Sequence, residues 1–446
     1  MPAAQDTQAP VIIGAGWSGL ACAVELAGLG HCPIVLDAAP HAGGRARGLD
    51  WHSGELRARV DNGQHLLLGA YRDTLALLTR VGVRTDQALS QSTFSLAYPD
   101  GWQLAAASAP APLHLVLGLA SAQGVRWCDR AALMRWVLEQ RLSAWRVASN
   151  LSAGDLLARQ PEQIVRRLWR PLCLASLNVE PQLASAQIFL NVLAGSLGAD
   201  AGASDLLVPR PDLSALLPDA AAQWLKVRGA QLRLRTPVLG IQRAGDRWRL
   251  QLRDGMLDAR HLVLALPPDR AAALLQGVHP TLDSPVTQLL ALRYAPIGTV
   301  YLRYQGIARL RRPVFALLDD PARARYGQWV FDRGAFDPSL AGVLSVVISG
   351  DGPHMDLEHG SLAQAVARQL GAELGLPEPR DHFTIAEKHA TLVPAPGLRR
   401  PSTRLPAPDL YLAGDAADSP YPSTLEGSVR AGLMAARAIG PKGGRE

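Results

Sequence analysis

The chain is poor in lysine, in paired cysteine and in long apolar runs, and each shortage excludes a class of protein. Lysine occurs only at positions 226, 388 and 442, and the basic residues are scattered, which argues against a nucleic-acid-binding arm. The four cysteines form neither a CxxC pair nor an extracellular disulfide framework. We therefore expect a reducing, cytoplasmic environment and no metal site.

Length and apolar side chains are what the chain has in quantity: 446 residues, of which 48% are hydrophobic and 19% charged. Such a chain is too long for one hydrophobic core and too apolar to be disordered. Two domains, or one domain interrupted by another, are expected. The net charge of +6 is compatible with contact to anionic lipid.

The longest stretch of low charge, residues 104–123, is interrupted by Pro110, Pro112 and His114, so we expect no membrane-spanning helix there. Two interpretations stay open. The stretch is either a surface-lying segment or lid over an apolar pocket, or a loop followed by a buried helix. The first ten residues have no basic region and no cleavable apolar region, which argues against a signal peptide.

The clearest motif is the sequence Gly-Ala-Gly-Trp-Ser-Gly at 14–19, between a predicted strand at 11–13 and a predicted helix at 20–29. In this pattern Gly14 permits a tight turn, and Gly16 lets the backbone approach a pyrophosphate. The third glycine lets the helix pack closely on the sheet, and the helix N-terminus then offers free N–H groups to the phosphates. The motif predicts a dinucleotide site.

Three later segments add to this prediction. A second strand at 33–37 ends in Asp37, whose carboxylate can accept hydrogen bonds from a ribose hydroxyl. Gly43-Gly44-Arg45 follows and can bring a guanidinium and backbone donors to the second phosphate. Near the other end, a strand runs into Gly414-Asp415, and the segment 421–432 opens a helix whose N-terminus can favour negative charge on a flavin.

Taken together, these motifs resemble the FAD-dependent amine oxidase and carotenoid desaturase superfamily. Four further segments, at 60–71, 112–115, 169–178 and 423–427, resemble the hydroxysqualene dehydroxylases of bacterial hopanoid synthesis. The resemblance implies an enzyme with FAD as its cofactor. The residues it would place at the cofactor are Gly14, Gly16, Trp17, Ser18, Gly19, Asp37, Ala38, Gly43, Gly44, Arg45, Gly63, Gln64, Val238, Gly414, Asp415, Leu425, Glu426 and Gly427.

The expected fold class is α/β (α+β): a discontinuous Rossmann-like FAD-binding domain with an inserted mixed sheet and helical substrate domain. The FAD domain would comprise residues 9–75, 205–270 and 399–440, and a tail would follow at 441–446. The substrate domain would comprise 76–204 and 271–398, with a membrane-facing segment.

Hydrophobic patterning adds shorter expectations within these domains. It predicts strands at 232–234, 236–241, 248–252 and 261–266. Residues 125–148 have the spacing of an amphipathic helix. Its Trp127, Trp136 and Trp145 either pack in the core, which the residues favour, or line a hydrocarbon tunnel or meet a membrane.

By resemblance, the reaction would be the reductive removal of the hydroxyl of hydroxysqualene, giving squalene, with hydride from N5 of the reduced flavin. The electron donor would be external, and the enzyme would be cytoplasmic, at the inner face of the membrane. His65 is the first candidate for general acid because it can change charge near neutral pH; Glu426 is a second, and Gln64 could orient the hydroxyl. Alternatives are oxidative desaturation of a polyprenoid and non-redox binding of a prenyl chain.

Overall fold

A five-stranded parallel sheet forms the base of the molecule, whose computed structural model describes residues 5–107, 109, 113–196, 200–306 and 309–443. Each of its neighbouring strand pairs is parallel. In order across the sheet, the strands are Gln231–Arg233, Ile34–Leu36, Val11–Ile13, Leu262–Leu264 and Leu410–Leu412. Three distant stretches of the chain supply them, so the predicted discontinuous α/β fold is confirmed.

Helices cover both faces of the parallel sheet, because parallel strands are apolar on both sides. Helices Trp17–Gly28, Pro218–Val227 and Leu425–Ile439 share one core with the sheet. The other core contains helices Pro268–Leu275 and Asp283–Leu290. It also contains residues of a four-stranded sheet, whose strands in order are Gln5–Thr7, Gly255–Ala259, Arg247–Leu252 and Gly240–Ala244.

Two predicted domain boundaries fall inside helices, and the division of the chain into domains stays a prediction. The boundary after residue 75 falls inside helix Arg72–Arg80, whose Leu77 and Leu78 are buried in the core of the parallel sheet. The boundary after residue 270 falls inside helix Pro268–Leu275, which packs on the opposite face of that sheet.

One predicted strand and one predicted helix are corrected, and part of the predicted tail contacts the rest of the chain. The predicted strand at 236–241 begins only at Gly240, since Arg235 has a positive φ of 54° and Pro237 has no N–H to donate. The predicted helix at 125–148 ends at Leu142, before two residues of positive φ. The tail at 441–446 is attached at its start, where Lys442 donates its N–H to the Leu29 carbonyl; residues 444–446 lie outside the described part.

An antiparallel five-stranded sheet stands against this base. Its strands in order are Val314–Ala316, Trp329–Asp332, Val343–Ser349, Tyr294–Arg303 and Asp381–Leu392. Helix His359–Leu374 packs on one face with Val300 and Leu302. The other face meets a hairpin of Gly48–Ser53 and Leu56–Asp61 through a core that contains Tyr301. The two faces differ because side chains alternate along the strand.

Helices form most of the remaining layer, which also holds the hairpin of Ser95–Ala97 and Gln103–Ala105. They are Leu113–Ala120, Trp127–Leu142, Ala153–Leu157, Glu162–Ile164, the π-helical Val165–Trp169, Arg170–Leu177 and Ala186–Ser196. Their core is centred on Trp169, whose ring lies 4.5 Å from that of Trp136. Among the described residues no helix is long and apolar enough to cross a bilayer.

The other elements are short. A three-stranded sheet contains Leu67–Leu68, Leu206–Pro209 and Leu89–Ser92. Brief helical turns occur at Thr85–Ala88, Ala201–Ser204, Leu213–Leu216, Pro280–Leu282, Pro321–Arg323, Arg333–Ala335, Pro338–Leu340 and Pro353–Asp356.

Candidate functional site

The glycine turn at 14–19 requires its glycines for steric reasons. Gly14 has a φ of 109°, and a Cβ there would lie 2.2 Å from the Ala265 carbonyl oxygen. A Cβ on Gly19 would lie 1.9 Å from the carbonyl oxygen of Gly14. The turn therefore brings the helix that starts at Trp17 against the end of strand Leu262–Leu264, where parallel sheets bind ligands.

Beyond this turn the structure offers an open, polar cradle. Gly16 caps helix Trp17–Gly28 without a side chain, so in the described part of the chain no cap side chain occupies the first amides of the helix, and they can bind an anion. A Cβ on Gly16 would meet only the Cα of Gly44, at 4.0 Å. The backbone thus lies open where a pyrophosphate would approach it.

An unpartnered polar atom borders the cradle. The buried Ser18 hydroxyl has no hydrogen-bond partner among the described residues, and its Oγ lies 3.8 Å from the position that a Cβ on Gly414 would occupy. Buried polar groups are normally paired, so this hydroxyl fits a bound dinucleotide that supplies its partner. Val238 is half-buried, and its contact with the cofactor stays a prediction.

Asp37 is held in place at the end of its strand. Its two carboxylate oxygens accept hydrogen bonds from the Ala15 and Ala39 amides, at 2.6 and 2.7 Å. Ala38 lies between Asp37 and the second donor. Gly43 donates to the Ala15 carbonyl at 2.8 Å, which brings the Gly43-Gly44 turn beside the first glycine turn. The structure therefore brings together the early residues predicted for the cofactor.

Arg45 lies in a different setting from the one predicted. Its guanidinium pairs with the Asp415 carboxylate at 2.6 Å and donates to the Ala390 carbonyl at 2.8 Å. The arginine thus joins the parallel sheet to the long strand Asp381–Leu392, and its contact with a phosphate stays a prediction. Trp17 is buried in the core and donates its indole N–H to the Ala46 carbonyl.

Glu426 caps a neighbouring helix. One carboxylate oxygen accepts hydrogen bonds from the amide and the hydroxyl of Thr74, at 2.9 and 2.7 Å, and the other accepts from the Asp73 amide at 3.2 Å. Burial raises the pKa of Glu426. Its described polar contacts lie at the start of helix Arg72–Arg80 and at Arg430, so its predicted role as a proton donor gains no support from geometry. Gly427 donates to Thr424, which caps the helix that begins at Leu425.

Segment 61–65 lies between the two sheets. The Asn62 amide donates to the Arg45 carbonyl at 2.6 Å, and the Gln64 amide donates to the His65 carbonyl at 3.0 Å. Gln64 Oε1 accepts a hydrogen bond from Ser345 at 2.9 Å. Both ends of the Gln64 side chain are therefore occupied, and its predicted role in orienting a hydroxyl stays a prediction.

The ring of half-buried His65 is oriented by its own chain, because Nδ1 donates to the Gly63 carbonyl. That hydrogen bond leaves Nε2 free, and no described residue bonds to it. Burial lowers the pKa of His65, so the neutral ring is favoured at neutral pH. The geometry suits proton transfer at Nε2, with an acid form that becomes more populated as pH falls.

Sequence reasoning missed the polar groups that strand Tyr294–Arg303 brings to this segment. The Tyr301 hydroxyl donates to the Asp61 carbonyl at 2.9 Å, and the Leu213 amide donates to the Asp61 carboxylate at 2.7 Å. Burial raises the pKa of Asp61 to about 7. No motif marks Tyr301 in the sequence; only strand alternation could have indicated that one face of its strand points at 61–65.

An apolar cavity of about 210 Å³ lies in the helical layer, walled by Leu104, Val116, Leu133, Met134, Leu138 and Trp169 among others. Helix Leu113–Ala120 contributes Val116 and Leu119 to its wall, and both interpretations of 104–123 stay open. Part of that stretch, at 108 and 110–112, lies outside the described residues. On helix Trp127–Leu142, Trp127 and Leu142 are 76% and 80% exposed, so the expectation of core packing is wrong for Trp127.

Comparison with known proteins gives a consistent result. Residues 17–440 match the family described as flavin containing amine oxidoreductase. The chain is 29% identical to a hydroxysqualene dehydroxylase of Rhodopseudomonas palustris, with 96% of this chain and 97% of that protein covered. It is 28% identical to a hydroxysqualene dehydroxylase of Sinorhizobium fredii, covering 95% and 96%. It is 23% identical to a probable zeta-carotene desaturase of Synechococcus elongatus, covering 96% and 98%.

Solved structures share the fold at lower identity. An oxidoreductase from Methanosarcina mazei superposes with a TM-score of 0.74 at 16% identity, covering 96% of this chain and 99% of that one. Putrescine oxidase bound to putrescine superposes with a TM-score of 0.71 at 15% identity, covering 97% and 99%. At these identities the likeness establishes the architecture and not the substrate.

Proposed function

The chain belongs to the flavin containing amine oxidoreductase family and is a FAD-dependent oxidoreductase; from that premise we propose that it reductively removes the hydroxyl of hydroxysqualene to give squalene. The observation that carries the proposal is its likeness, over nearly the whole chain, to proteins named hydroxysqualene dehydroxylase. The apolar cavity in the helical layer suits a hydrocarbon substrate.

In this reaction the carbon–oxygen bond breaks, the carbon gains a hydride, and the departing hydroxyl takes up a proton to leave as water. Bound FAD, once reduced, supplies the hydride. The protein must supply the proton and exclude water from an otherwise apolar site. We assign the proton to Nε2 of His65, because Nδ1 is committed to the Gly63 carbonyl and fixes the ring.

The runner-up is oxidative desaturation of a polyprenoid, in which hydride moves from substrate to flavin. It is supported by the 23% identity to a probable zeta-carotene desaturase. The third alternative, a prenyl-binding protein without redox chemistry, does not hold for a FAD-dependent oxidoreductase. Amine oxidation is the least favoured alternative, because the sequence has no recognisable aromatic cage that would centre a cationic amine.

One anaerobic experiment separates the first two functions. The FAD-loaded protein is reduced with dithionite, mixed with hydroxysqualene, and the products are identified by mass spectrometry. Squalene together with reoxidised flavin supports dehydroxylation. Oxidised enzyme that converts squalene or phytoene to a desaturated product, with no squalene formed from the alcohol, supports desaturation instead.

Replacing His65 tests the proton donor. We expect His65→Gln to slow flavin reoxidation by hydroxysqualene about 100-fold, the range typical of general acids, without loss of FAD. Because burial lowers the pKa of His65, the wild-type rate should rise as pH falls toward that pKa, and the variant should lose this dependence. Stopped-flow absorbance across pH measures both. His279→Gln, at an exposed site, is the control. If the pH profile of His65→Gln equals that of His279→Gln, His65 is not the proton donor.

We further propose that the helical layer contacts the inner face of the cytoplasmic membrane. Helices Leu113–Ala120 and Trp127–Leu142 expose large apolar side chains beside the cavity. Arg130 covers the Trp127 ring, and further arginines lie along the same helix. Apolar side chains with arginines between them are typical of surfaces that lie on anionic bilayers, where a triterpene is dissolved. The electron donor is proposed to be external.

A further inference from the structure

Thr299 carries a buried hydroxyl without a partner. It lies within strand Tyr294–Arg303, its exposed fraction is 1%, and its Oγ1 has no hydrogen-bond partner among the described residues. Leaving a buried donor unpaired costs about 1–3 kcal/mol, so buried hydroxyls are rarely left so. Valine has the same shape without this cost. The hydroxyl therefore indicates a ligand that pairs with it.

Strand alternation shows which way Thr299 faces. Val300 and Leu302 point into the core under helix His359–Leu374. Tyr301, on the opposite face, reaches the Asp61 carbonyl with its hydroxyl. Thr299 shares the face of Tyr301, because residues two apart lie on the same side of a strand. It therefore faces the segment 61–65.

Gly63 brings the Thr299 hydroxyl and the His65 ring to the same space. A Cβ on Gly63 would lie 3.7 Å from Thr299 Oγ1 and 3.6 Å from Cε1 of His65. The Thr299 hydroxyl and the imidazole are therefore neighbours across the Gly63 backbone.

A second unpaired donor lies in the same row of the sheet. Thr299 is opposite Val347, and Val347 is opposite Trp329 on the next strand, so all three side chains share one face. The Trp329 indole N–H is also buried without a partner in the described residues. In the adjacent row, Ser345 is paired with Gln64. The unpaired donors of this face thus lie together, in one row.

We infer that Thr299 binds the oxygen atom of the alcohol substrate, donating its O–H to that oxygen beside His65. The inference rests on the proposed function and deepens it. A hydrogen bond from Thr299 holds the leaving oxygen within reach of the proton on Nε2 and favours cleavage of the carbon–oxygen bond. Squalene has no oxygen, so the product leaves Thr299 unpaired again and is held less tightly than the substrate.

The test is the ratio of two binding constants, measured by titrating oxidised holoenzyme with hydroxysqualene and with squalene and following the flavin spectrum. Thr299→Val should weaken binding of hydroxysqualene about fivefold to tenfold, as expected for one neutral hydrogen bond, and leave squalene binding within about twofold. Thr299→Ser keeps the donor and should restore the wild-type ratio. Thr299→Ala provides a second deletion with a different packing effect.

Tyr304→Phe is the matched control, because it removes another buried hydroxyl that has no partner in the described residues, in the core on the far face of the same sheet. It should leave the ratio unchanged. If Thr299→Val and Thr299→Ala both leave the ratio of the two binding constants unchanged, the inference is overturned. The proposed function still stands in that case, provided that the wild-type enzyme converts hydroxysqualene. A wild-type enzyme that neither binds nor converts hydroxysqualene removes both.

Discussion

Two helices of similar length show how differently the two ends of this molecule are built. Helix Trp17–Gly28 is buried along its first ten residues, and its approach to the sheet is fixed by glycines. Helix Trp127–Leu142 has four buried residues, and Trp127, Leu138 and Leu142 are exposed to 76%, 56% and 80%. The rest of the chain buries the first helix, whereas the second helix leaves an apolar face uncovered.

The difference shows that apolar side chains have different roles in the two regions, namely close packing at the parallel sheet and an exposed surface in the helical layer. At the parallel sheet, apolar side chains pack closely, and among the described residues it is an unpaired polar atom, the Ser18 hydroxyl, that fits a bound dinucleotide. In the helical layer, the uncovered apolar side chains are the basis of the proposed membrane contact, because large exposed apolar patches are uncommon on proteins without an interaction partner. Substitutions can test each end separately.

The largest effect is expected at the glycine turn. Gly14→Ala places a methyl group 2.2 Å from the Ala265 carbonyl at a φ of 109°, so we expect a loss of about 3 kcal/mol of stability, or more, and no bound FAD. Flavin absorbance of the purified protein and its thermal melting measure this. Gly195→Ala is the matched control, since a Cβ there meets no atom within 4 Å and should stabilise its helix slightly. Equal flavin content in both variants would contradict the role assigned to the turn.

A smaller effect is expected where the two sheets are joined. Arg45→Ala leaves the Asp415 carboxylate, whose side chain is 4% exposed, without its partner. Breaking a fully buried ion pair costs about 3–5 kcal/mol, and because Arg45 is partly exposed we expect about 2 kcal/mol here, with weakened FAD retention. Urea unfolding and FAD release into a filtrate measure the two effects. Arg249→Ala breaks a more exposed pair with Asp258 and should change stability and FAD retention far less. Equal losses in the two variants would contradict the role of Arg45 in joining the two sheets.

The smallest effect on folding, and the one specific to the helical layer, is expected from Leu138→Glu with Leu142→Glu. Both side chains are exposed, so stability should stay within about 0.5 kcal/mol. Co-sedimentation with vesicles of phosphatidylglycerol and phosphatidylcholine should fall about tenfold, because a charge replaces apolar contact area at the bilayer. Val227→Glu changes a similarly exposed apolar residue outside the helical layer and should bind vesicles like the wild type. A similar fall in vesicle binding for this variant would show that the added negative charge alone causes the loss.

The sequence predicts the parallel sheet better than the helical layer, for physical reasons. The motif at 14–19 constrains local backbone geometry, and residue types indicate such geometry directly, as at Gly14, whose φ other residues avoid. The strands at 11–13 and 34–36, and the discontinuous fold they belong to, could therefore be predicted. The domain boundary near residue 75 stays a prediction, because helix Arg72–Arg80 packs on Leu425–Ile439 and is capped by Glu426, 352 residues away in the sequence, and no local pattern indicates either contact.

Polar sites formed by strands that are distant in the sequence are harder to predict. Thr299 carries no sequence signal, since a threonine in a β-branched strand is ordinary, and its importance comes from the Gly63 backbone opposite it. The prediction of His65 as a proton donor rests on its residue type. Trp127 and Trp136 belong to the same amphipathic pattern, yet one is exposed and the other buried, because periodicity gives the spacing of a face and not what covers it.

The assembly of the parallel sheet from three separate stretches also sets an order of events during protein synthesis. Helix Leu425–Ile439 packs so closely on helix Trp17–Gly28 that a Cβ on Gly432 would lie 2.1 Å from the Ser18 carbonyl. The apolar face of helix Trp17–Gly28 therefore stays uncovered on the ribosome until helix Leu425–Ile439 has emerged. We expect FAD to bind only after this late helix has docked.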